Sequence, residues 1–132
     1  MKTNFWICCL LALGVFVLAS CDPHEPPAIQ FKTGTDYTSA DATVAKGASV
    51  KVGIIADKKE DNMRTYNISY AYDGASTTQT KETFSLNDDE QYHYEKDYIF
   101  TVRNQSGKEK WSFVITDKDG NIAKLEINLT VD

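Results

Sequence analysis

Beyond residue 28 this chain of 132 residues contains neither cysteine nor proline. Its three cysteines are Cys8, Cys9 and Cys21, and the first two lie in an apolar N-terminal stretch. A chain beginning at Cys21 therefore holds one thiol and no partner for an internal disulfide. Histidine is as scarce. His24 and His93 are too few for the His clusters of a zinc site, and no Gly-x-Ser-x-Gly elbow exists to support a triad around His93. No phosphate loop or dinucleotide fingerprint appears, so no cofactor is expected. Two carboxylates could work as a glycosidase pair, but nothing in the sequence selects a pair, and the chain reads as a non-enzyme. Positive charge is also short. Lys2 is one of the 14 basic residues, which leaves 13 against 19 acidic ones after the leader, a net charge of −6. That sign excludes nucleic acid as a partner, because phosphate binding needs a basic face.

The first segment gives an address. Lys2 supplies a positive start, Phe5 to Leu18 is apolar apart from Gly14, and the small residues Ala19 and Ser20 precede Cys21. The apolar run falls well short of the ~20 residues that span a bilayer, and no positive cluster follows it. Residues 1–20 read as a cleaved secretion signal. Leu18-Ala19-Ser20-Cys21 resembles the lipobox of bacterial lipoproteins. The resemblance implies that Cys21 is lipidated and becomes the first residue of the mature chain. It further implies a protein exported and anchored to the bacterial envelope, at the outer membrane, on its periplasmic or cell-surface face. Each buried lipid methylene contributes ~0.8 kcal/mol, so several acyl chains would hold it permanently. Residues 21–28, with Pro23, Pro26 and Pro27, read as an extended tether of ~3.1 Å per residue that lifts the domain off the bilayer. Asp22 and Glu25 are similar to the acidic tether starts of Bacteroidota lipoproteins.

Residues 29–132 show period-two alternation and no convincing 3.6-residue pattern, which predicts an all-β domain. Ile29 and Phe31 open a first strand. Val50, Val52, Ile54 and Ala56 mark a second; Tyr66, Ile68, Tyr70 and Tyr72 mark a third, closed by the Asp73-Gly74 turn. Thr78 to Leu86 is polar apart from Phe84 and Leu86 and reads as an edge strand. Tyr92, Tyr94, Tyr98, Phe100 and Val102 share a parity that Lys96 interrupts, so Glu95-Lys96-Asp97 is expected to form a bulge or turn. Trp111, Phe113 and Ile115, then Leu125, Ile127, Leu129 and Val131, supply the last two strands. Seven strands with frequent turns predict a single Greek-key β-sandwich. Asn87-Asp88-Asp89-Glu90 suits the cap of one helical turn. The segments Thr43 to Val50 and Trp111 to Asn121, the latter with the following strand, resemble the opening and closing hairpins of bacterial immunoglobulin-like domains. They lack the Trp-x-Phe-Gly-Asp-Gly run of polycystic-kidney-disease repeats, and the resemblance speaks to fold rather than activity.

Three places invite chemistry. Asp117, Asp119 and Asn121 alternate around Gly120 like part of a calcium loop, but the bidentate glutamate and third carboxylate are missing, and a hairpin turn explains the run better. Asp57, Glu60, Asp61 and Asn62 form a second acidic loop that reads as solvated charge. The tyrosines could form a stacking platform for sugars or a peptide, yet Tyr66, Tyr70, Tyr72, Tyr92, Tyr94 and Tyr98 share parity with Ile68, Phe100 and Val102, which points them at the core. The expectation is a lipid-anchored, non-catalytic module that binds an envelope protein or a glycan. The alternative is an assembly subunit that pairs through an edge strand such as 78–86.

Overall fold

The computed structural model describes residues 24–132; the leader, Cys21 and the start of the tether lie outside the described residues. Eight strands follow in order: β1 Ala28–Phe31, β2 Ala42–Val44, β3 Ser49–Asp57, β4 Met63–Tyr72, β5 Gln79–Ser85, β6 His93–Thr101, β7 Gly107–Asp117 and β8 Ile122–Val131. They form two sheets, ordered β1-β3-β6 and β2-β8-β7-β4-β5. Every pairing is antiparallel except β2 with β8. The architecture is an immunoglobulin-like sandwich.

Alternation decides which side of each strand is buried. Val50, Val52, Ile54 and Ala56 of β3 face Ile68, Phe113, Ile115, Ile127 and Leu129 across the gap, and all of them are buried. Each large apolar side chain fully buried there contributes ~1.5–3 kcal/mol. Trp111 stacks on Phe100 with ring centroids 3.7 Å apart, joining the sheets at one end, and Phe31 meets Phe113 edge-on at 5.9 Å.

Two expectations need correction. The described residues form eight strands, because Ala42–Val44 also forms one, paired in parallel with the last strand. Three residues are too few for alternation to be visible. Nor does Glu95-Lys96-Asp97 break its strand: β6 pairs with β3 in unbroken register from Ser49↔Thr101 to Asp57↔His93. Lys96 does point between the sheets, opposite Ile54. It is tolerated because β6 is an edge, where the stem lies over Phe84 with Nζ 4.7 Å from the ring centroid and the ammonium keeps water. The edge position of 78–86 is as expected. Among the tyrosines, Tyr66 and Tyr94 are buried, Tyr70, Tyr72 and Tyr98 are half-buried at the rim, and Tyr92, in the turn before β6, is exposed. Asn87 caps a single turn, its Oδ1 accepting from the backbone N–H of Asp89 and Glu90 while Glu90 Oε2 accepts from Asn87 N–H.

The tether behaves differently from a spacer. Pro27 is buried, β1 begins at Ala28, and His24 Nδ1 lies 3.1 Å from Asp61 Oδ2 and 3.2 Å from Glu60 Oε2. The described part of this segment is docked on the domain.

Candidate functional site

The outer face of the three-stranded sheet carries the most organised group of exposed polar side chains. Register sets them side by side, since Lys51 pairs with Ile99, Gly53 with Asp97, Ile55 with Glu95 and Asp57 with His93. Lys32, just past β1, joins the Gly53 row through its N–H to the Gly53 carbonyl at 2.8 Å. The loop after β1 brings Tyr37 over the same glycine. A Cβ at position 53 would stand 2.7 Å from both Lys32 Cδ and Tyr37 Cε1. A glycine in mid-strand is what lets both side chains lie on the sheet.

Asp97 is the hub. Its carboxylate accepts from Lys32 Nζ at 3.0 Å and Tyr37 Oη at 2.9 Å, with Lys51 Nζ at 3.2 Å. These donors, Lys32 first and Tyr37 next, hold the Asp97 pKa down to about 2. Lys32 also reaches Glu95 at 3.0 Å, and that hydrogen bond is the main cause of the raised Lys32 pKa and the lowered Glu95 pKa. His93 ends the row between Asp57, 2.7 Å from Nδ1, and Glu95, 3.1 Å from Nε2. Two flanking carboxylates favour the imidazolium, and the His93 pKa is raised, Asp57 being the larger cause. An open groove of about 530 Å³ runs beside this row, lined by Gln30, Lys32, Tyr37, Ile55 and Glu95 among others. Ile99 stands at the end of the row, 63 % exposed.

Of the residues singled out in the sequence, His93 and Asp57 lie in this row and the others fall elsewhere. Cys21 lies outside the described residues. The Asp117–Asn121 run is a hairpin turn: Asp117 is buried, its Oδ1 accepts from the backbone N–H of Asp119 and Asn121, and its Oδ2 accepts from Asn121 Nδ2. Gly120 takes φ +90°, as the turn requires. Asp119 points away from Asp117, toward His24 and Asp61. Those three are the described residues whose donor atoms, all within 4.8 Å of one another, could share a metal ion. In the structure Asp61 is instead paired with Lys118 at 3.3 Å, and hydrogen bonds from these neighbours lower its pKa against the upward pull of its desolvation.

Sequence reasoning missed Lys32, Tyr37, Lys51, Glu95 and Asp97. Gly53, isolated in an apolar strand, was the one available signal of a close approach.

A buried carboxylate sits at the opposite end of the sandwich. Glu109 Oε2 accepts from Trp111 Nε1 at 2.8 Å and its Oε1 from Arg103 N–H at 2.9 Å, with Arg103 Nε 3.8 Å away. Arg103 also grips Asp73, Nη1 to Oδ2 at 2.7 Å, and holds the Asp73 pKa down to about 2. This arrangement ties the turn after β4 to the segment before β7. Apart from Arg103 Nε, which is buried without a hydrogen-bond partner among the described residues, these donors and acceptors bond one another.

No family model and no curated protein matches the chain. Solved structures similar to it include a chitin-binding domain from Burkholderia pseudomallei, with TM-score 0.51, 12% identity, and coverage of 71% of this chain and 58% of that one. A family 123 glycoside hydrolase from Clostridium perfringens matches with TM-score 0.49, 7% identity, and coverage of 81% and 27%. Murine CRIg matches with TM-score 0.40, 12% identity, and coverage of 82% and 99%. The chain thus spans 58% and 27% of the first two chains. At these identities the likeness shows the fold alone.

Proposed function

We propose that this chain is a lipid-anchored envelope protein, held through Cys21, whose sandwich binds a protein partner on the outer face of the three-stranded sheet. The observation that carries the reading is the row around Asp97. Six charged or ionisable side chains are already paired and oriented there, with Ile99 exposed beside them. A partner meeting such a face orders few further side chains, and complementary charge gives it register and specificity.

A glycan platform is less well supported, although one similar structure is a chitin-binding domain. Sugar stacking needs a free aromatic face, and among the described residues Tyr92 is the one aromatic among the exposed large hydrophobics. The Tyr37 ring lies against Gly53 with Lys51 Nζ 4.6 Å from its centroid. Assembly through a free edge is opposed by the edges themselves. β1 and β2 are four and three residues long. β6 turns Lys96 inward, and β5 turns Glu82 inward opposite Ile68 next to a register shift. Short edges and inward charges both discourage strand addition.

The test is photocrosslinking in cells from position 99, with position 81 on β5 as the comparison. Crosslinks to one protein from 99, lost on Asp97→Ala, are the expected result. Crosslinks from 81 alone would select the edge-assembly reading. Fractionation of Cys21→Ser tests the anchor, which fails if the variant stays membrane-bound.

A further inference from the structure

The described part of the tether docks at one end of the sandwich. β1 starts beside the end of β3, with Ala28 opposite Asp57, and His24 reaches over to Glu60, Asp61 and, at 4.0 Å, Asp119. These residues belong to the loops 58–62 and 118–121. Together with 86–92 the loops form one connected end: Lys58 N–H donates to Tyr92 O, Met63 N–H to Gln91 O, and Lys118 N–H to Asn62 O. Only three peptide steps separate His24 from Cys21, a reach of at most about 11 Å. The ten residues of β8 carry the chain roughly 30 Å to the opposite end.

Resting on the lipidation of Cys21, we infer that the end formed by loops 58–62, 86–92 and 118–121 faces the bilayer, and that loops 45–48, 73–78 and 102–106 form the outward end. The bilayer-side loops hold six carboxylates against three lysines. Anionic headgroups repel that end, so it stands off at the limit of its short tether instead of adhering. The binding row around Asp97 then runs up one side of an upright domain, open to a partner in the same membrane. His24 is a positioning residue here. Releasing it would roughly double the free length of chain between lipid and domain.

The experiment uses the full chain, expressed, processed and reconstituted into phosphatidylcholine–phosphatidylglycerol vesicles that contain a headgroup-nitroxide lipid. Lipid on Cys21 leaves an engineered cysteine as the single free thiol, so Asp88→Cys and Ser76→Cys can each carry one fluorophore at an exposed loop position. Several-fold stronger quenching at 88 than at 76 is expected, and His24→Ala should narrow that difference. Equal quenching at both positions, or stronger quenching at 76, overturns the orientation while leaving the anchor intact. A free thiol at Cys21, or a Cys21→Ser variant that still sediments with membranes, overturns the anchor and the orientation with it.

Discussion

Replacing Glu109 by glutamine changes one buried atom's chemistry and almost nothing of its shape. Glu109 is 1 % exposed, and its two oxygens accept from Trp111 Nε1–H and Arg103 N–H. A glutamine offers one acceptor oxygen and one amino group, so whichever way it turns, a donor faces a donor. The lost charge-assisted bond is worth ~1.5–3 kcal/mol and the orphaned N–H costs ~1–3 kcal/mol more, overlapping to about 3 kcal/mol in total. Glu109→Ala orphans both donors and leaves a cavity in place of the buried carboxylate, which places it at ~3–5 kcal/mol even though Arg103 keeps its pairing with Asp73. For residues 21–132 the reporter is built in, because Trp111 is their single tryptophan. Urea unfolding followed by Trp111 fluorescence should show the midpoint for Glu109→Gln fall by roughly 2 M, taking a slope of ~1.5 kcal/mol per M. In a Trp111→Phe background, followed by far-UV circular dichroism because the tryptophan reporter is gone, the same substitution should cost about half as much, since one of the two donors is absent. A loss below ~1 kcal/mol for Glu109→Gln in the wild-type background would refute the assignment of this carboxylate as the acceptor that holds the end of the sandwich together.

Gly107 sits at φ +151°, and a Cβ there would fall on the Arg103 guanidinium and the Asp73 carboxylate; Gly107→Ala should therefore lower the melting temperature by more than ~5 °C, about 1 kcal/mol for a domain of this size. The Tyr66 hydroxyl is buried with no hydrogen-bond partner among the described residues, so Tyr66→Phe should leave stability unchanged or raise it by ~1 kcal/mol in chemical denaturation. Asp97 titrates at about 2 when folded against 3.8 as its ordinary value, so its contribution is complete above pH 3.8 and disappears as pH falls through about 2. Asp97→Asn should flatten that part of a stability-versus-pH curve. His93 has the opposite sign: its folded pKa is raised above 6.5, so its contribution is complete below pH 6.5 and is lost as pH rises through the folded value, and His93→Gln should remove that decline. Because Asp117 is saturated by its own turn, excess Ca²⁺ or a chelator should not shift the melting temperature through that loop; a shift abolished by Asp117→Asn would contradict it.

What the sequence disclosed depended on how local the cause was. Val50 to Ala56 and Leu125 to Val131 alternate because each strand has one buried and one exposed face, and that pattern is written in consecutive residues. The Asp117–Asn121 turn was legible for the same reason. Lys96 misled, because its place is set by the neighbour across the sheet gap and by the free edge of β6, neither of which leaves a mark nearby in the chain. The row around Asp97 was the least legible. Lys32 and Tyr37 from the loop after β1, Lys51 from β3 and Asp97 from β6 come from three separate segments, joined by the register of β3 on β6 and by the space above Gly53. His24 read as part of an extended tether, since its partners lie 36 or more residues away.

The two outer faces of the sandwich differ in what they offer a partner. On the five-stranded sheet, β7 and β8 turn Lys108, Lys110, Lys124 and Glu126 outward, with Lys124 Nζ 3.0 Å from Glu126 Oε1, beside short polar pairs such as Asn67 Nδ2 to Thr83 Oγ1 at 2.8 Å. On the three-stranded sheet, Lys32, Lys51, Glu95 and Asp97 carry full charges with donors or lone pairs left over, and side-chain exposures of 20–47% leave them reachable. Their mutual pairing lowers the cost of burial, because each charge already has a counter-charge and a fixed rotamer before any partner arrives. Mixed sign also sets a filter: a uniformly acidic or uniformly basic surface gains nothing from a row that alternates lysine and carboxylate, whereas a surface with the complementary alternation gains at every position. Charge reversal should therefore discriminate between partners where neutralisation only weakens binding. Lys51→Glu is expected to abolish a crosslink from position 99 that Lys51→Gln merely reduces, and equal losses from the two would assign recognition to Ile99 and shape alone.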